Sequence, residues 1–255
     1  MTTIIYKDLP PLRLDQEDVP DFTEFNLDPF QLHGTAHLLI PHGHREATRI
    51  FSLRLQPRPG TQLATSLKRF QDQSYFECGP NQAHQCLPHL SLLGKIAIDC
   101  GANYSTRWQA VDVLINMVDE EINKALLAAT TSRQLPPLPT FGGYCINNKP
   151  TRSVSMRVAV PRLYTELAHI LQNNLKQDIT STTIQRIPLA YNVLRSISSD
   201  DAHCIRSLAN DLINVKKWVN GKESSWELAL QEIMLESQDV GKTQQVTTIK
   251  TWSLH

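Results

Sequence analysis

Two short apolar segments, Leu87-Pro88-His89-Leu90-Ser91-Leu92-Leu93 and Gln185-Arg186-Ile187-Pro188-Leu189-Ala190-Tyr191, constrain most strongly how this chain folds. Each has the length and apolar content of a strand, and each follows a stretch of helical period. They fall at equivalent places in two similarly ordered halves of the chain. That arrangement predicts a single α+β domain.

The elements around them are read from period and punctuation. Ile50-Phe51-Ser52-Leu53-Arg54-Leu55 alternates, placing Phe51, Leu53 and Leu55 on one strand face. Pro59-Gly60-Thr61 then breaks the chain and caps a helix carrying Leu63, Leu67 and Phe70. After the His89 segment, Val111, Ile115, Val118, Ile122 and Leu126 recur at helical steps, in a helix starting near Ser105-Thr106. Leu135-Pro136-Pro137-Leu138-Pro139 ends it. Phe141–Ile146 and Val154–Val160 read as strands joined through Asn147-Asn148-Lys149-Pro150. Pro161 opens a helix with Leu163, Leu167, Ile170, Leu171 and Leu175. The Arg186 segment follows, then a helix capped by Ser198-Ser199-Asp200 with Ile205, Leu208 and Leu212. Trp226–Leu235 and Val246–Leu254 complete the chain as strands. The duplication is of architecture, without a residue-level repeat. Two such halves facing each other predict two antiparallel sheets with a groove between them and helices outside.

Residues 1–45 are rich in proline and acids and show no sustained period, so they read as an irregular acidic N-terminal extension before a domain spanning 46–255. The formal net charge of zero hides this asymmetry. Residues 1–30 hold seven acids against Lys7 and Arg13, a balance of −5, which leaves +5 on the rest. That permits an anionic ligand without demanding one, and no Lys/Arg run marks a nucleic-acid-binding surface. No apolar stretch approaches the length of a membrane span, so no membrane partner and a cytoplasmic or nuclear location are expected. The five cysteines form no Cys-x-x-Cys pair, which points to free thiols and neither a disulfide framework nor a zinc knuckle. His33, His37, His42 and His44 cluster in Leu32–Arg45, but without an acid or cysteine at ligand spacing they read as a surface loop. No metal or other cofactor is expected.

On a strand, His89 and Ser91 project to one face while Leu90 and Leu92 point to the other. An imidazole moves protons near neutral pH and a hydroxyl bonds a phosphate oxygen, so the pair suits phosphoester chemistry. Alone, His-x-Ser fits a structural histidine better.

Context adds to it. Pro-His-Leu-Ser-Leu, a long helix, a Gly142-Gly143 strand, a second strand leading into the Pro161 helix, and a strand ending Leu189-Ala190-Tyr191 together resemble the two-histidine (2H) phosphoesterase superfamily. The resemblance covers about residues 48–254. It implies a bilobal, duplicated fold with two His-x-Thr/Ser motifs on equivalent strands. One histidine is general base and the other general acid in metal-independent cleavage of 2′,3′-cyclic phosphates or 2′–5′ linkages. His89 and Ser91 match the first motif. At the second, 97 positions on, Arg186 replaces the histidine and Pro188 the hydroxyl residue. Arginine cannot cycle as acid and base, yet its planar fork suits phosphate. Loss of one partner of an acid–base pair costs about 10²–10⁴ in rate, and Pro188 supplies neither hydroxyl nor backbone donor.

The expectation is a degenerate phosphoesterase-like protein. It binds a nucleotide or RNA end through His89, Ser91 and Arg186 and turns it over weakly or not at all. Two alternatives stand beside it: an active metal-independent phosphodiesterase, and a pseudoenzyme that binds a protein partner. Tyr144 and Phe141, flanking Gly142-Gly143, suit stacking on a nucleobase and read equally well as core aromatics. Arg54 and Arg157 alternate with apolar residues and face either the groove or solvent. His84 lines the groove entrance or a solvated loop, and His169 and His203 sit on helices.

Overall fold

The computed structural model describes residues 48–100, 104–131, 136–175, 185–215, 225–235 and 240–254. The N-terminal extension and its histidine cluster lie outside the described residues. The elements run β1 (Thr48–Pro57), α1 (Gln62–Cys78), a 3₁₀ turn (Gln82–Gln85), β2 (Leu90–Asp99), α2 (Tyr104–Thr131), β3 (Thr140–Asn147), β4 (Ser153–Ala159), α3 (Arg162–Leu175), β5 (Arg186–Ala190), α4 (Ser199–Leu212), β6 (Trp226–Leu235) and β7 (Gln245–Leu254). The local signals act as read. Thr61 caps α1 by accepting from the Ala64 N–H, Ser198 caps α4 by accepting from the Asp201 N–H, and Pro161 immediately precedes α3.

The fold is α+β, with two antiparallel sheets. The sheets do not coincide with the two sequence halves. The last two strands return to the first sheet, giving the order β2-β1-β6-β7, while the middle of the chain forms β3-β4-β5. Leu53 and Leu55 of β1 meet Leu230 and Leu228 of β6 in register, so β6 completes the apolar face that β1 begins. Motif strands β2 and β5 each lie at one edge of their sheet, opposite β7 and β3.

Helices tie the sheets together. α1 packs on α4, α2 packs on α3, α2 and α3 both touch β2, and α4 covers β4 and β5. The buried face of α3 is Tyr164, Leu167, Ala168 and Leu171, whereas Ile170 points outward. One continuous apolar core runs from Phe51, Leu53 and Leu55 through Leu90, Leu92 and Leu93 to Val154, Met156, Ile187 and Trp226. No helix among the described residues is long and apolar enough to cross a membrane.

Candidate functional site

The entry to β2 is built by the loop that leaves α1. Gly79 ends the helix at φ +78°, a backbone conformation side chains disfavour. Gln71 then holds the loop from α1, its Nε2 donating to the carbonyls of Ala83 (2.9 Å) and Cys86 (2.7 Å). Gln82 ties the loop to the chain leaving β5: its N–H donates to Tyr191 O (2.9 Å), and its Oε1 accepts from the Val193 N–H (2.8 Å). The Gln244 N–H donates to Gln85 O (2.7 Å), joining the approach to β7. Segments distant in sequence therefore converge where β2 begins.

Two histidines in this loop have opposite duties. His84 Nδ1 accepts from the Asn81 N–H (3.0 Å), so its proton sits on Nε2, which meets Ser74 Oγ at 3.0 Å. The ring also meets Tyr75 edge-on, and burial lowers its pKa. It clasps the loop to α1.

His89 stands one residue ahead of β2. Its Nδ1 lies 2.8 Å from Leu87 O, and a carbonyl only accepts, so Nδ1 carries the proton and Nε2 keeps its lone pair. The residue is half-buried, and surrounding protein strips enough water from the imidazole to push its pKa down to about 3, with the charge of Arg54 adding to the effect. Cys86 Sγ lies 3.9 Å from the same Nδ1. Burial raises that thiol, with Arg54 opposing. A thiol pushed up beside an imidazole pushed down leaves both neutral, so the two do not form an activated nucleophile and base.

Arg54 is the residue that the strand pattern alone did not single out. It is 6% exposed, and its Cα partner across the β1–β2 ladder is Ser91. Its Nε donates to Ser52 Oγ (3.0 Å), and one Nη reaches Gln244 Oε1 at 3.4 Å. No carboxylate pairs with it among the described residues, and burial lowers its pKa. The nearby buried Glu227 accepts instead from the neutral Gln56 amide (2.9 Å). Gln231, the partner of Ser52 on β6, is also buried, and its Oε1 has no hydrogen-bond partner among the described residues. A guanidinium stripped of water without a counter-charge is costly unless an anion joins it.

His89 and Ser91 are thus brought together with Arg54. Arg186, exposed on β5, donates from Nη1 to Asn147 Oδ1 within its own sheet (3.1 Å). Pro188 is exposed two residues on, opposite Ser155. Tyr144 pairs with Met156 on the core side and donates its hydroxyl to Ala209 O of α4 (3.1 Å), while Phe141 packs edge-on against it at 5.0 Å. Both are partly buried and pack against the apolar core. Arg54 is buried opposite Ser91 at the β1–β2 seam and Arg157 is exposed; His169 and His203 are exposed on their helices. Among the described residues no group of three His, Cys, Asp or Glu side chains is arranged to hold a metal ion.

No protein-family model matches the chain, and no curated protein matches it.

Proposed function

We propose that this protein binds a phosphate-bearing ligand, a nucleotide or an RNA end, and turns it over weakly or not at all. The observation that carries this is Arg54, a buried guanidinium without a carboxylate partner among the described residues, set across from Ser91 and beside His89. A phosphate would supply the missing counter-charge through the arginine fork and accept from the Ser91 hydroxyl. Two antiparallel sheets, with β2 and β5 each at an edge, support a degenerate two-histidine phosphoesterase-like arrangement. Weak turnover follows from the bases. An imidazole held near pKa 3 draws protons poorly at neutral pH, and Arg186 releases none.

The experiment is calorimetric titration of the full chain with a 3′-phosphorylated nucleotide and a 2′,3′-cyclic nucleotide, followed by product analysis. Binding without hydrolysis, lost in Arg54→Met, is the expected result. Failure to bind either nucleotide or a 3′-phosphorylated oligoribonucleotide overturns the reading. Efficient hydrolysis abolished by His89→Ala would replace the binder with a working phosphodiesterase using the Nε2 lone pair.

A further inference from the structure

We propose that the face of the three-stranded sheet opposite its core is a second phosphate-binding site, built from Arg157, Arg186, Ser155 and Asn147. It rests on the phosphate-ligand reading above only for the class of ligand; its geometry is separate from the Arg54 seam.

Arg157 and Arg186 are Cα partners on the β4–β5 ladder, and both are exposed. Like charges directly opposite each other weaken a sheet unless an anion lies between them. Among the described residues neither arginine forms an ion pair. Arg186 reaches across β4 to a neutral acceptor, Asn147 Oδ1, which Cys145 Sγ also engages at 3.2 Å. That leaves the Asn147 amide N–H groups as what this residue can offer an anion.

Ser155 lies two residues before Arg157 and so shares its face. It is only 6% exposed, and its Oγ has no hydrogen-bond partner among the described residues. On the other flank, Gly143 is the β3 partner of Arg157. Its φ is +109°, and as a glycine it adds no side chain beside Arg157; a Cβ on the neighbouring Gly142 would lie 3.4 Å from the Arg157 Cβ. Two exposed planar forks beside an amide match a tetrahedral oxyanion, and the Ser155 hydroxyl on the same face is covered and without a partner among the described residues. Free phosphate and the phosphodiester of a nucleic-acid backbone share this chemistry.

The test follows backbone amide shifts of the ¹⁵N-labelled full chain as inorganic phosphate is added. One group of reporters is 153–158 with 186–190, the other 52–56 with 89–92. Saturable shifts in the first group are expected, lost in the Arg157→Gln/Arg186→Gln double variant and kept in Arg54→Met. Shifts confined to the second group overturn this site and leave the Arg54 reading standing. Shifts confined to the first support this site and overturn that reading; shifts in neither overturn both. Both arginines are exposed, so the double variant keeps its fold, which an unchanged spectrum elsewhere verifies. A single-stranded oligoribonucleotide displacing phosphate from the first group at lower concentration assigns the site to a nucleic-acid backbone. Removal of both arginines should then flatten the slope of log affinity against log salt by about 1.4. An oligoribonucleotide that leaves phosphate in place assigns it to the free anion.

Discussion

Arg54 and Ser91 face each other across the β1–β2 ladder, the guanidinium buried and the hydroxyl beside it on the same side of the sheet. The opposite side of these strands is apolar, with Leu53, Leu55, Leu90 and Leu92 at 0–1% exposure. Water stripped from a cation is normally replaced by a carboxylate, yet Ser52 and Gln244 are the acceptors here. A cation kept buried on neutral acceptors is poorly optimised for stability and well placed to receive an anion.

Arg54→Met should therefore stabilise the protein or leave it unchanged while abolishing phosphate binding beside Ser91 and His89. Replacing buried charge by an apolar side chain of similar length is commonly neutral or stabilising by about 1–4 kcal/mol. Denaturant unfolding with and without phosphate checks both halves. A loss of several kcal/mol in the absence of phosphate would show that Arg54 serves the fold.

His89 makes stability depend on pH with a definite sign. Its folded pKa of about 3 lies below the ordinary value of 6.5, so between these limits the unfolded chain binds the extra proton. The stabilisation is present above pH 6.5 and is lost as pH falls toward 3, with a slope of at most about 1.4 kcal/mol per pH unit. Unfolding curves across that window should be flatter for His89→Gln than for the parent. Bound phosphate should also draw the His89 pKa upward, because a nearby anion favours the imidazolium. Ring-proton titration by NMR would read that shift, and no movement would place phosphate elsewhere.

Much of the fold was legible because its causes are local. Thr61 and Ser198 are caps, and the helical spacing of Val111, Val118 and Ile122 marks a buried stripe whatever it packs against. Pairing was not legible. β1 and β6 each carry apolar positions that could complete either sheet, and nothing near Leu230 says that its partner is Leu53. Arg54 and Arg157 illustrate the same limit for the site. Both alternate with apolar residues, yet tertiary cover buries one and leaves the other in solvent. His84 became a clasp only because Ser74 and Asn81 converge on its two ring nitrogens.

Arg49 and Glu232 join β1 to β6 by two parallel bonds, Nε to Oε1 at 2.6 Å and Nη2 to Oε2 at 2.5 Å. The guanidinium also lies 5.4 Å from the Phe51 ring centroid and 5.3 Å from that of Trp108. Side-chain exposures of 18% and 9% make this a largely desolvated pair. Glu232→Ala leaves the arginine without its partner and should cost about 3 kcal/mol. It should not weaken phosphate binding under native conditions, which distinguishes this fold-supporting arginine from Arg54. Urea unfolding alongside calorimetry makes the comparison.

The altered second motif can be tested by repair. If His89 and the Arg186 position address one ligand, Arg186→His with Pro188→Ser returns the proton carrier and the hydroxyl that β5 lacks. Pro188 is exposed and its side chain lies outside the core, so this exchange is tolerable to the fold. A second titratable partner should raise hydrolysis of a 2′,3′-cyclic nucleotide on the order of 10²-fold over the parent. The gain should vanish when His89→Ala is added, because both partners are needed. The low pKa of His89 restrains the rate and puts the base limb near pH 3, so activity should hold level above that and fall once the new histidine loses its proton near its ordinary pKa of about 6.5. A repaired variant that binds the nucleotide as well as the parent but hydrolyses it no faster would mean that the two motif strands do not address the same phosphate.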